Sequence, residues 1–64
     1  MNVNVRTSKN ETALIVATKN GNFDVVKILL DNGADIDAKD DEGKTALDWS
    51  KEKGNNDIFN ILSS

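Results

Sequence analysis

Apolar and polar positions along the chain fall into four short helical blocks, and the blocks come in two pairs. The first block opens at Thr12, whose hydroxyl suits an N-cap, and Ala13, Leu14, Val16 and Ala17 supply a small apolar stripe. Lys19-Asn20-Gly21 ends it, with Gly21 suited to a left-handed terminating position. A helix of about two turns is marginal alone, because nucleation is costly. Asn22 is expected to cap the second block, Phe23 to about Asp31. There Asp24, Lys27 and Asp31 make one narrow polar stripe, while Phe23, Val25, Val26, Ile28, Leu29 and Leu30 fill most of the rest. So little polar surface predicts a helix covered on more than one side. Asn32-Gly33 stops it, with Gly33 at the C′ position.

The connector ADIDAKDDEGK, Ala34 to Lys44, alternates and then turns acidic, which predicts a hairpin-like excursion with Gly43 near its base. Thr45 caps a third block, Ala46 to about Lys53; Gly54 breaks it, Asn55 caps, and Asp57 to Leu62 form the fourth. A shift of 33 residues lays Thr12-Ala13-Leu14 on Thr45-Ala46-Leu47 and Gly21-Asn22 on Gly54-Asn55. It also lays Ile28-Leu29 on Ile61-Leu62, and Asp57, Asn60 and Ser64 on the earlier polar stripe. Asn2 to Arg6 falls on Asp35 to Lys39, so the chain begins part-way through a connector. Identities at caps, turns and core positions, with drift elsewhere, mark a stacking repeat.

These motifs resemble the ankyrin repeat. DDEGKTAL stands at Asp40 to Leu47, VVKILL at Val25 to Leu30 and GADIDA at Gly33 to Ala38, in the family's order and at its period. The resemblance implies an all-α repeat fold: an ankyrin-like solenoid of helix-turn-helix units joined by β-hairpin-like connectors. Residues 1–64 are expected to form one domain, with 1–11 a partial connector, 12–40 the first repeat and 41–64 a C-terminal capping repeat. The chain departs from the family pattern in places. Ala13 and Ala46 replace Pro, Ile15 and Asp48 replace a His, and Asn10 stands where Gly is expected, a residue that tolerates the left-handed region. Ser63 stands where Leu30 stood and makes the far side more polar, as a terminal repeat requires; Trp49 is expected to cover the end of the core. No such cap is visible on the N-terminal side, where Val3, Val5, Leu14 and Val25 are expected near an uncovered layer.

Composition narrows the chemistry. With 64 residues, a core alone gives only about 3–5 kcal/mol. There is no Cys and no His, which excludes disulfides, Cys/His zinc sites and a histidine general base. The net charge of −3 and the scattered lysines argue against a nucleic-acid partner. No apolar run approaches the ~20 residues of a membrane span, and MNVNVRTSKN lacks a signal peptide's apolar core, so a cytoplasmic location is expected.

Three motifs invite other readings. Ala38 to Thr45, AKDDEGKT, formally fits a relaxed phosphate loop, but Asp40, Asp41 and Glu42 would stand beside the anion. The acidic run from Asp35 to Glu42 invites calcium, but counting from Asp35 puts Lys39 at the fifth and Asp40 at the sixth position of an EF-hand loop, where an oxygen ligand and a Gly are needed. Asn10-Glu11-Thr12 is a glycosylation sequon whose Thr already serves as a cap. No catalytic constellation emerges, and no cofactor or metal is expected.

The expected function is non-enzymatic protein–protein recognition. By the resemblance, partners meet the connector tips and first helices: Ser8, Lys9, Glu11, Lys19 and Asn20 in the first repeat, and Asp41, Glu42, Lys44, Glu52 and Lys53 in the second. The alternative is a minimal or engineered repeat fragment whose main interaction is self-association through its uncapped N-terminal face.

Overall fold

The computed structural model describes residues 7–63, which form four helices: α1 Ala13–Lys19, α2 Phe23–Asp31, α3 Ala46–Lys53 and α4 Asn56–Ser63. The expected positions of Val3, Val5 and Ser64, and the overlay of residues 2–6 on 35–39, lie outside the described residues. The two helices of each pair pack on each other, α1 packs on α3, and α2 on α4. Two layers result, with α1 and α3 in one and α2 and α4 in the other. The core between them gathers Leu14, Ile15, Ala17, Val26, Leu29, Ala46, Trp49, Ile58 and Leu62.

Local chemistry sets the helix ends. Thr12 Oγ1 accepts from the Ile15 amide at 3.1 Å. Thr45 Oγ1 accepts from the Asp48 amide at 3.3 Å while Asp48 Oδ2 accepts from the Thr45 amide at 3.1 Å, a reciprocal capping box. Asp48 therefore uses the position where the family carries His to fasten its own helix. At the far end of α2, Ala34 N–H donates to Leu29 O and Gly33 N–H to Leu30 O, with Gly33 at φ +83°. The same pair of bonds closes α1 through Gly21 and Asn22, and α3 through Gly54 and Asn55.

Asn22 does not cap α2 with its side chain, contrary to expectation; only its carbonyl takes the N-cap place, receiving the Val26 amide. Its own amide is already tied back to Ala17 O, and the backbone stands at ψ 79°, short of the extended value seen at Thr12 and Thr45. The matching Asn55 reaches across the repeat boundary instead, its Nδ2 donating to Thr18 O at 3.2 Å.

The connectors repeat their geometry under different sequences. Thr7 N–H donates to Glu11 O, as Asp40 N–H does to Lys44 O. The Glu11 amide donates to Thr7 Oγ1, as the Lys44 amide does to Asp40 Oδ1. Asn10 stands at φ +62° where Gly43 stands at +74°, so Asn holds the left-handed turn as expected. Among the described residues the connectors are turns with one isolated bridge at Thr12 and no strand.

Burial corrects three expectations. In α2, Val26 and Leu29 are buried, but Val25 and Ile28 are 38% and 55% exposed, so the helix is covered along one side. Leu14, expected near an open layer, is fully buried. Trp49 does not close the C-terminal end: it is buried in the core cluster with the Lys19 ammonium of α1 over its ring, so it faces the first repeat. Asp48 and Lys51 are exposed where the first repeat has buried Ile15 and Thr18.

Candidate functional site

The two connector tips form one surface. Ser8 and Lys9 are exposed on the first turn, Asp41 and Glu42 on the second, and the Asp41 amide donates to Lys9 O at 3.2 Å across the gap. That bond sets neighbouring tips side by side. Beneath them lies a cleft of about 300 Å³ lined by Lys9, Glu11, Asp40, Asp41 and Glu42.

The other expected residues gather beside it. Lys19 pairs with Glu11, and Lys44 with Glu52 at 2.5 Å. These pairs occupy equivalent places in the two repeats with the charges exchanged: the connector carries the acid in the first and the base in the second. Both lysines lie over the Trp49 ring, 4.6 and 4.4 Å from its centroid, and Lys53 lies at 5.8 Å. Asn20 and Lys53 are exposed at the ends of α1 and α3. Glu11 departs from the expected exposure: it is only 8% exposed, held by Lys19 and the Thr7 hydroxyl.

Sequence reasoning missed the residues that hold this surface together. Asp40 is buried and saturated. Its Oδ1 accepts from the amides of Glu42 at 2.9 Å and Lys44 at 3.0 Å, and its Oδ2 accepts from Trp49 Nε1 at 2.8 Å. The signal available was local: Asp at the start of a turn binds amides two residues on. Its reach to Trp49 needed the fold. Burial pushes the Asp40 carboxyl up, but the Lys44 amide, the Trp49 indole, the Glu42 amide and the Lys19 charge together hold it below the ordinary value. The hydrogen bond to Glu11 raises Lys19 above its ordinary value against partial burial, and the bond to Glu52 does the same for Lys44.

This arrangement also answers the phosphate-loop reading. The amides of Glu42 and Lys44, which a phosphate would need, donate to the Asp40 carboxylate instead. Asp35 Oδ1 accepts from the Asp37 amide, a turn bond within the acidic run that invited calcium. Thr12 of the sequon is buried under its capping bond. No helix among the described residues is long and apolar enough to cross a membrane.

Comparison with known proteins gives the context. A family model described as ankyrin repeats (3 copies) matches residues 1–64. An E3 ubiquitin-protein ligase, hecd-1, of Caenorhabditis elegans is 49% identical over 69% of the chain, which spans 2% of that protein. Alpha-latrocrustotoxin-Lt1a of Latrodectus tredecimguttatus is 42% identical over 83% of the chain and 4% of its own length. A putative ankyrin repeat protein of Rickettsia bellii is 32% identical over 94% of the chain and 36% of its own length. The chain thus spans well under two thirds of each of these relatives.

Proposed function

The chain belongs to the ankyrin repeat family, and from that premise we propose that it recognises another protein through its two connector tips and the adjoining α1–α3 surface. Ankyrin repeats are generally protein–protein interaction modules and typically non-enzymatic scaffolds. The observation that carries the finer reading is the Asp41–Lys9 bond, which sets the two tips side by side. The surface is mixed in charge. Exposed Asp41 and Glu42 lie beside Lys9, and Lys53 lies by the Trp49 ring. Its partner is a protein of complementary mixed charge, met over a small area at the low end for specific interfaces.

Site-specific photo-crosslinking tests the assignment. A crosslinking side chain placed at Lys9, Asp41 or Glu42 is expected to trap one common protein. The same group at Lys27, exposed on α2, is expected to trap none of it. Capture of that protein from Lys27 as readily as from the tips sinks this use of the surface.

A further inference from the structure

Asparagine stands directly before glycine at Asn20-Gly21 and at Asn32-Gly33. Glycine has no Cβ to shield its backbone nitrogen. That nitrogen can therefore attack the side-chain Cγ of the preceding asparagine and close a succinimide ring. The attack has one structural condition: the glycine N–H must first leave its hydrogen bond. The two sites occupy matching places, each just past the end of a helix. Gly21 N–H donates to Thr18 O at 3.0 Å, and Gly33 N–H to Leu30 O at 3.1 Å.

Their surroundings differ. Gly21 is wedged between α1 and α2, and a Cβ added there would meet the Asn55 side chain at 3.6 Å. Asn55 Nδ2 also donates to Thr18 O, and Thr18 is fully buried. The carbonyl that holds the Gly21 amide is thus itself held by the second repeat. At Gly33 a Cβ would meet nothing within 4 Å, and Asp31, Asn32 and Gly33 are all exposed. Among the described residues, the bonds that close this turn run back into α2: Gly33 N–H to Leu30 O, Ala34 N–H to Leu29 O, and Asn32 Nδ2 to Ile28 O at 2.7 Å. An exposed end turn held only by its own helix opens at less cost than one clamped by a neighbour.

We propose that Asn32 is a site of spontaneous conversion to aspartate and isoaspartate, and that in the folded chain it converts well before Asn20. When the last turn of α2 opens, the Gly33 amide gives its proton to hydroxide. The nitrogen then bonds to Asn32 Cγ, the Cγ–Nδ2 bond breaks, and ammonia leaves after taking a proton from water, which restores the hydroxide. A second water opens the succinimide at either carbonyl. One opening leaves aspartate, the other isoaspartate, in which the main chain runs through the former side chain. Either product adds a negative charge next to Asp31 at the C-terminal end of α2, where the helix dipole disfavours it. Isoaspartate also lengthens the main chain within the turn that Gly33 forms. The conversion therefore loosens the junction between α2 and the second connector, and it does not reverse to asparagine. Asn32 lies outside the connector-tip surface, so the two proposals stand or fall separately.

Ageing the chain in mildly alkaline buffer, with peptide mapping by mass spectrometry and chromatographic separation of aspartate from isoaspartate, tests it. In the folded wild type, product at Asn32 is expected to build up at least about threefold faster than at Asn20, a factor within the net worth of one hydrogen bond. It is expected as a mixture of aspartate and isoaspartate. In concentrated urea the two sites are expected to convert at similar rates, because the fold no longer separates them. Asn32→Gln, at an exposed position, is expected to abolish the early product and leave the slow conversion of Asn20. Conversion of Asn20 as fast as Asn32 in the folded chain, aspartate formed without isoaspartate, or a preference for Asn32 that persists undiminished in urea each overturns the proposal.

Discussion

Asp40 accepts the indole N–H of Trp49 at 2.8 Å, tying the start of the second turn to the middle of α3. The bond is charge-assisted and buried, which makes it stronger than a neutral pair and its loss more costly. It also couples folding to pH. The carboxyl is held below its ordinary value of 3.8, so the folded state binds its proton less readily than the unfolded state. Its contribution is complete above the ordinary carboxylate value and is lost as pH falls through the lower folded value. Asp40→Asn keeps an acceptor for either the turn amides or the indole but cannot serve both sides with oxygen. We expect the variant to be less stable than the wild type at neutral pH, with the gap closing in strong acid. Urea midpoints followed by Trp49 fluorescence measure both; a gap that stays constant with pH contradicts the assignment.

The exchanged ion pairs give a second test. Glu11→Lys alone sets two ammonium groups together at a nearly buried position and should lower the melting temperature clearly. Adding Lys19→Glu rebuilds the order that Lys44 and Glu52 already use one repeat later. Recovery should be partial, because Lys19 also neutralises Asp40 and Glu42 and lies over Trp49. Melting curves of the two variants should therefore rank wild type, double, single. Equal melting points for single and double would mean the pair contributes nothing. Both lysines are raised above 10.5, so their contribution is present below that value and lost as pH rises through the higher folded one.

Gly33→Val and Asp41→Ala should differ sharply. An added Cβ at Gly33 meets nothing within 4 Å, so space is not the obstacle; the φ of +83° is. Forcing a branched residue into that region costs about 1–3 kcal/mol. Asp41 is exposed, and Ala keeps the backbone amide that bonds Lys9, so its removal should stay within about 0.5 kcal/mol. Thermal midpoints that coincide would contradict the cap at Gly33.

What was legible in the sequence was local. Thr12 and Thr45 as caps, Gly33 as a helix stop and Asn10 as a left-handed stand-in each depend on a residue and its immediate neighbours. The capping box of Thr45 and Asp48 was equally local and went unread. Contacts made by the chain folding back were not legible. The Glu11–Lys19 pair, the Asp40–Trp49 bond and the Asn55–Thr18 bond join residues 8, 9 and 37 apart, with nothing in the intervening sequence to announce them. The candidate surface divided in the same way. The exposure of Ser8, Lys9, Asp41 and Glu42 followed from turn chemistry, whereas the burial of Glu11 goes with its bonds to the Lys19 ammonium and the Thr7 hydroxyl.

The second helix is where an apolar pattern misleads most, and one adjacent pair of residues tests why. Ile28 and Leu29 have side chains of the same size, yet Ile28 is 55% exposed and Leu29 is in the core. Helical geometry turns neighbours by about 100°, so only one of the two can face α1 and α4. Leu29→Ala should cost about 2–5 kcal/mol, the range for emptying a core position. A single core of this size supplies only about 3–5 kcal/mol in all. Leu29→Ala should therefore leave much of the population unfolded at room temperature, while Ile28→Ala, within about 0.5 kcal/mol, stays folded. Far-ultraviolet circular dichroism separates these outcomes, with helical signal lost in one variant and kept in the other. Comparable loss in both would mean that Ile28 is covered in solution and that the exposed side of α2 is itself an interface.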